Sequence, residues 1–170
     1  MKKLLKVLLI LLAVLLAAVI IYVGYVMLSY NRIPDNQTLE PRNPQQAGLA
    51  AGVGVEYAIA TQNIGFGAYT DDYTFFMDGG TQSWAESPES VTACVGAAAE
   101  QVGSLQPDFI LFQEVDFDST RSYHINEQEI LRVAFREMAE VDAVNYHSAF
   151  LMYPLTQPHG SSNSSMVTFS

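Results

Sequence analysis

The chain has 170 residues, room for one ordinary domain, and sets 18 acidic residues against 8 lysines and arginines, a formal charge of −10. All 18 acids follow position 30, where only five arginines (Arg32, Arg42, Arg121, Arg132 and Arg136) accompany them, so that region carries −13. Phosphate backbones are bound through Lys and Arg, which argues against unaided nucleic-acid binding, and the lone Cys94 excludes an internal disulfide.

Lys2, Lys3 and Lys6 form a short basic N-terminus (residues 1–6), followed by 22 uncharged residues from Val7 to Leu28. As a helix this run spans roughly 33 Å, enough to cross the hydrocarbon core of a bilayer. The lysines before it and the single nearby Arg32 after it predict a cytoplasmic N-terminus, with the remainder on the far side. Tyr22, Tyr25 and Tyr30 sit near the outer end, where aromatic rings favour the interface. The alternative is a signal peptide cleaved near Ala17-Ala18, whose apolar region would ordinarily be shorter.

Residues 29–52 read as a polar tether, punctuated by Pro34, Pro41 and Pro44 and by Asn31, Asn36 and Asn43, with Gly48 and Gly52 leading out of it. The domain proper is expected over 53–170. Val53, Val55, Tyr57, Ile59 and Thr61 alternate as a strand ending at Asn63, and a Gly-, Asp- and aromatic-rich loop runs to Trp84. Ser87-Pro88-Glu89 opens a helix with a hydroxyl cap, a proline in the first turn and an acid, and Val91, Cys94, Val95, Ala98, Val102 and Leu105 give it an apolar face. Phe109-Ile110-Leu111-Phe112 reads as a strand buried on both faces. Asn126 caps a second helix with Ile130, Ala134, Met138 and Val141 on one side, and further strands are expected over 145–153 and 165–169. Strand, helix, strand, helix, strand implies α/β layering.

Chemistry gathers at two strand ends, Asn63 and Glu114. An amide carbonyl and a carboxylate are hard oxygen donors, the kind Mg²⁺ takes while keeping several waters. Thr61-Gln62-Asn63-Ile64-Gly65, then a helix, then Pro107-Asp108-Phe109-Ile110-Leu111-Phe112-Gln113-Glu114-Val115 resembles the opening of the endonuclease/exonuclease/phosphatase superfamily. The resemblance covers roughly residues 53–170 and is sharpest at Gln113-Glu114. It implies the N-terminal half of a four-layer α/β sandwich and a phosphodiester or phosphomonoester hydrolase, with Asn63 and Glu114 holding Mg²⁺ (or Mn²⁺). The stretch Asp116 to His124 looks like a bacterial membrane-anchored subgroup, with Arg121 and His124 as candidate substrate contacts, because guanidinium pairs bidentately with phosphate. His159, ahead of a segment resembling the family's Gly-led strand but with Ser165 in the glycine position, is a third candidate.

The family's later motifs, Gly-Asp-x-Asn and Ser-Asp-His, do not occur here. The expectation is therefore a domain truncated at its C-terminus, with the general base and catalytic His beyond Ser170 and this portion inactive alone. The competing reading is a membrane-tethered binding module that keeps the fold without the chemistry. The substrate of an anchored enzyme of this charge would be a lipid headgroup, a small phosphoester or, least favoured, nucleic acid.

Overall fold

The computed structural model describes residues 2–30, 32–46 and 50–170; Asn31 and Gly48 of the expected tether lie outside them. The chain divides into two compact units, residues 1–32 and 33–170.

The first unit is one helix, α1 (Lys2–Ser29), with no buried residue. Leu4 through Leu28 present their aliphatic side chains on every side, most of them more than half exposed. A core helix of a water-soluble protein would bury such a surface; this one is long and apolar enough to span a membrane.

The second unit is a four-stranded sheet with helices on one face. Its strands are β1 (Ile59–Asn63), β2 (Phe109–Asp116), β3 (Glu140–Leu151) and β4 (Gly160–Phe169), in the order β1-β2-β4-β3. β1 and β2 pair in parallel, joined through α2 (Pro88–Ser104), whereas β2–β4 and β3–β4 are antiparallel. The Ser87 hydroxyl accepts from Ser90 N–H at 3.0 Å, as the capping pattern predicted. Val91, Val95, Ala98, Ala99 and Val102 then recur on one face and are buried, whereas Leu105 at the helix end is 67% exposed. They pack over Ile110, Phe112, Val115, Val167 and Phe169 from the sheet and Leu131 from α3 (Glu127–Ala134). Phe112 and Phe169, at 0% and 1% exposure, are worth about 1.5–3 kcal/mol each by burial alone.

Four boundaries differ from the sequence reading, each for a tertiary reason. The first strand begins at Ile59 rather than Val53, because pairing starts only where Ile59 meets Phe109. α3 keeps its Asn126 cap, bonded to Glu129 N–H at 3.0 Å, but stops at Ala134, so Met138 and Val141 do not belong to it. Arg132 explains the stop: it grips Glu140 through Nε–Oε2 at 2.7 Å and Nη2–Oε1 at 2.9 Å, starting β3 five residues early. β4 extends back to Gly160 through three serines and Asn163 because β3 supplies partners as far as Leu151. Ser165 stands in that strand with its hydroxyl accepting from Gln128 at 2.7 Å and donating to Val115 O at 3.2 Å.

Part of the expected tether is docked. Arg42 exchanges backbone hydrogen bonds with Glu140 at 2.7 and 3.0 Å, and its Nε lies 3.3 Å from Asp142. This covers one end of the β3 edge, which would otherwise offer unpaired backbone groups. The other sheet face, carrying Thr61, Leu111, Thr168 and Met166, has no helix of this unit upon it among the described residues, with Leu111 36% and Met166 43% exposed. The second unit is thus two layers, a mixed sheet and one helical layer.

Candidate site at the tips of β1 and β2

Parallel pairing sets Asn63 opposite Gln113, so the next residue of β2, Glu114, stands beside the end of β1. The β2–β4 register shifts between Phe112 and Val115, and Glu114 within that bulge has φ 55. A left-handed non-glycine residue costs on the order of 1–3 kcal/mol and persists only where its surroundings demand it; bulges of this kind re-aim a side chain. Here the aim is clear. Asn63 Nδ2 donates to Glu114 Oε1 at 2.8 Å, while Gly65 N–H donates to Asn63 Oδ1 at 2.8 Å. The Gly65 donor fixes the amide orientation, because N–H must meet the oxygen and not the NH₂. Asn63 therefore holds Glu114 in place, and the carboxylate keeps lone pairs free.

Beside this pair is a pocket of about 390 Å³, walled by Asn63, Gly65, Tyr69, Cys94, Ala98 and Glu114, with no basic side chain in its lining. The turn that makes it is unusual: Gly65, Phe66 and Gly67 all have positive φ (52, 46 and 64). At Gly65 a Cβ would sit 2.3 Å from the Tyr69 ring, so the ring rests directly on the glycine. The Tyr69 hydroxyl donates to Asp78 at 3.4 Å. Burial, with the charges of Asp78 and Glu114 adding to it, raises its pKa above the usual phenol value. The expected loop is thus a packed element: Phe66 and Tyr73 are buried and make edge contacts with Tyr69 and each other.

Beneath the strand tips lies a buried polar network. Asp116, 0% exposed, takes a bidentate pair from Arg121 Nε and Nη2, each at 2.9 Å, and a bond from the Ser122 hydroxyl at 3.1 Å. The guanidinium carbon sits 4.0 Å from the centroid of the Phe66 ring. Burial lowers the Arg121 pKa, but the Asp116 bond and charge outweigh it and leave the guanidinium more firmly protonated than usual. Glu127 accepts from Asp116 N–H at 2.8 Å with Oε2, and its Oε1 is buried without a partner. Burial first, then the Asp116 charge, raises the Glu127 pKa well above the carboxylate range.

The three expected substrate contacts separate accordingly. Arg121 is turned inward and committed to Asp116. His159 is also buried, among Phe75, Phe76 and the Ser162 hydroxyl, with a pKa lowered by burial and then by the Arg121 charge. His124 alone is open: its Nδ1 meets Asp118 Oδ1 at 2.6 Å, with both side chains more than half exposed. Asp118 is in turn tied through its backbone oxygen to Asn163 Nδ2 at 3.0 Å, and Asn163 Oδ1 meets His147.

For a hard cation the donor set here is small. Among the described residues no three His, Cys, Asp or Glu side chains converge on one point. Mg²⁺ tolerates this, since one or two carboxylates and several waters suffice. Glu114 fits as a direct donor. The Asn63 oxygen, already bonded to Gly65, fits better as the group that fixes Glu114 than as an equal ligand. Tyr69 and Glu127 are not among the sequence-derived site candidates, and Asp116 enters there only as the start of the Asp116–His124 pattern, with no role of its own. The run Gly65-Phe66-Gly67 signalled the first, through its two turn-permitting glycines, but nothing local distinguished the other two from solvated acids. Searches against protein-family models, curated proteins and solved structures find no match to this chain.

Proposed function

We infer that the chain is the metal-binding part of a divalent-cation-dependent phosphoesterase of the endonuclease/exonuclease/phosphatase type, held at a membrane by α1 with its N-terminus cytoplasmic. The observation that carries the reading is the Asn63–Glu114 contact, with Glu114 held in a strained bulge at the mouth of a pocket. Strain of this order is stored where a side chain must be presented, and a capped or merely solvated Glu has no need of it.

Bound Mg²⁺ (or Mn²⁺) would polarise a phosphoryl oxygen and acidify a water. Glu114 would be its direct protein ligand. Asn63 holds the carboxylate through its 2.8 Å hydrogen bond, and Asp116, Arg121 and Glu127 brace the strand end from below. Tyr69 closes one wall of the pocket, its hydroxyl turned to Asp78. His124, oriented by Asp118, is the exposed imidazole left for a substrate oxygen.

The finer fold follows the same reading: a second sheet covers the bare face bearing Leu111 and Met166, completing a four-layer sandwich. On this reading the general base and the catalytic His would belong to that second sheet's half. The test is Mg²⁺-dependent hydrolysis of bis(4-nitrophenyl) phosphate by a form of the protein that carries both sheets. Glu114→Ala should abolish it, and an undiminished rate in that variant would exclude Glu114 as the ligand. The alternative, a non-catalytic tethered module, predicts no hydrolysis by either protein.

A further inference from the structure

The loop at the β3–β4 turn and the loop after Tyr73 together make an apolar knob. Residues 150–158, Phe-Leu-Met-Tyr-Pro-Leu-Thr-Gln-Pro, contain no charge, although the region beyond position 30 carries −13. Within them Tyr153 is 69% and Leu155 80% exposed, and Met77 of the neighbouring loop is 68% exposed. The two loops touch, since the Phe76 and Tyr153 rings lie 5.8 Å apart between centroids. Single exposed apolar residues need no explanation, but a cluster of aliphatic and aromatic side chains from two touching loops, in which Asp78 beside Met77 is the one charge and is turned to the Tyr69 hydroxyl, marks a contact surface.

We propose that this knob is a membrane-docking surface, with Met77, Tyr153 and Leu155 entering the interfacial layer of the bilayer that α1 crosses. The chain itself supplies the partner. Only twelve residues, thirteen Cα–Cα steps, separate Ser29, the end of α1, from Arg42, which is pinned to β3. Fully extended they reach roughly 45 Å, so the domain is confined near the lipid surface. Aliphatic side chains with a tyrosine beside them are the composition that lodges at the headgroup boundary. The acidic domain gains nothing from anionic lipid, so the contact is apolar and insensitive to salt. The second loop also bears Asp78, the partner of the Tyr69 hydroxyl in the pocket wall. Docking therefore sets that wall beside the bilayer, and the substrate class becomes a phosphoester headgroup presented by lipid. That consequence rests on the phosphoesterase reading, but the docking does not.

The test uses the whole chain in phosphatidylcholine nanodiscs, with Cys94→Ala as background and a spin label at Leu155→Cys. A control label goes at Gln101→Cys, exposed near the end of α2 that leads to the opposite end of β2. The expected result is a several-fold higher ratio of oxygen to water-soluble nickel-chelate accessibility at 155 than at 101, unchanged by salt and lost in Met77→Asp. Equal ratios at the two sites would overturn the proposal. So would a signal abolished by salt, which means electrostatic adhesion. A label shielded from both relaxants equally in detergent and in lipid would also overturn it, because protein then covers the knob.

Discussion

Replacing Arg121 with methionine tests the reading of the network under the strand tips. The Asp116 side chain is fully buried and the Arg121 side chain 10% exposed, and two charge-assisted bonds of 2.9 Å join them. Methionine fills much of the volume but strands the Asp116 carboxylate, whose remaining side-chain donor is the Ser122 hydroxyl. An unpaired buried charge costs about 3–5 kcal/mol, and the loss of the contact with Phe66 adds to it. Urea unfolding in detergent, followed by the single tryptophan, reads this out, because Trp84 packs edge-on against Tyr123 and donates to Pro158 O. Adding Asp116→Leu should then recover a large part of the loss, since most of the penalty is the stranded charge and not the missing pair. A single-variant loss below about 1 kcal/mol, the value of an exposed pair, would refute the reasoning.

Further outcomes follow from other residues. Glu127→Gln should stabilise the protein near neutral pH: the folded-state pKa is raised above the ordinary 4.5, so keeping Glu127 neutral costs more as pH rises through that value. Below about pH 4, where both states bind the proton, thermal melts of variant and wild type should coincide, and a benefit that persists there would contradict the assignment. Gly65→Ala forces a Cβ to 2.3 Å from the Tyr69 ring at φ 52, so it should cost on the order of 1–3 kcal/mol and displace the pocket wall; an unchanged melt would show that the turn relaxes freely. Arg132→Ala removes the bidentate grip on Glu140, which is 1% exposed, and should destabilise by about 3–5 kcal/mol in urea, against almost nothing for Arg136→Ala, whose Glu137 partner is exposed.

Much of the architecture was legible because local signals stated it. The uncharged run of α1, the Ser87-Pro88-Glu89 start of α2, the Asn126 cap and the apolar Phe109–Phe112 strand all fall where sequence rules place them, but that strand is buried on one face only, with Leu111 on the open face 36% exposed, and not on both as its continuous apolar run predicted. Misplaced boundaries trace to pairing that no local pattern encodes. Gly160 to Ser164 reads as a polar loop and becomes a strand because β3 is long enough to zip it up, and α3 ends early because Arg132 reaches Glu140. At the site, the proximity of Asn63 and Glu114 follows from two strand tips in parallel register. The inward turn of Arg121 did not, because its partner Asp116 looks in sequence like any loop acid. Likewise, Arg42 belongs to a proline-punctuated tether by composition and to the sheet edge by backbone hydrogen bonds.

The most direct test of the central claim is Mn²⁺ binding to this chain, followed by electron paramagnetic resonance and competed with Mg²⁺. One site is expected, displaced by Mg²⁺, lost in Glu114→Ala, weakened but not lost in Asn63→Ala, and intact in His124→Ala. Equal binding by the wild type and Glu114→Ala would contradict it, leaving a strained carboxylate with no cation to serve.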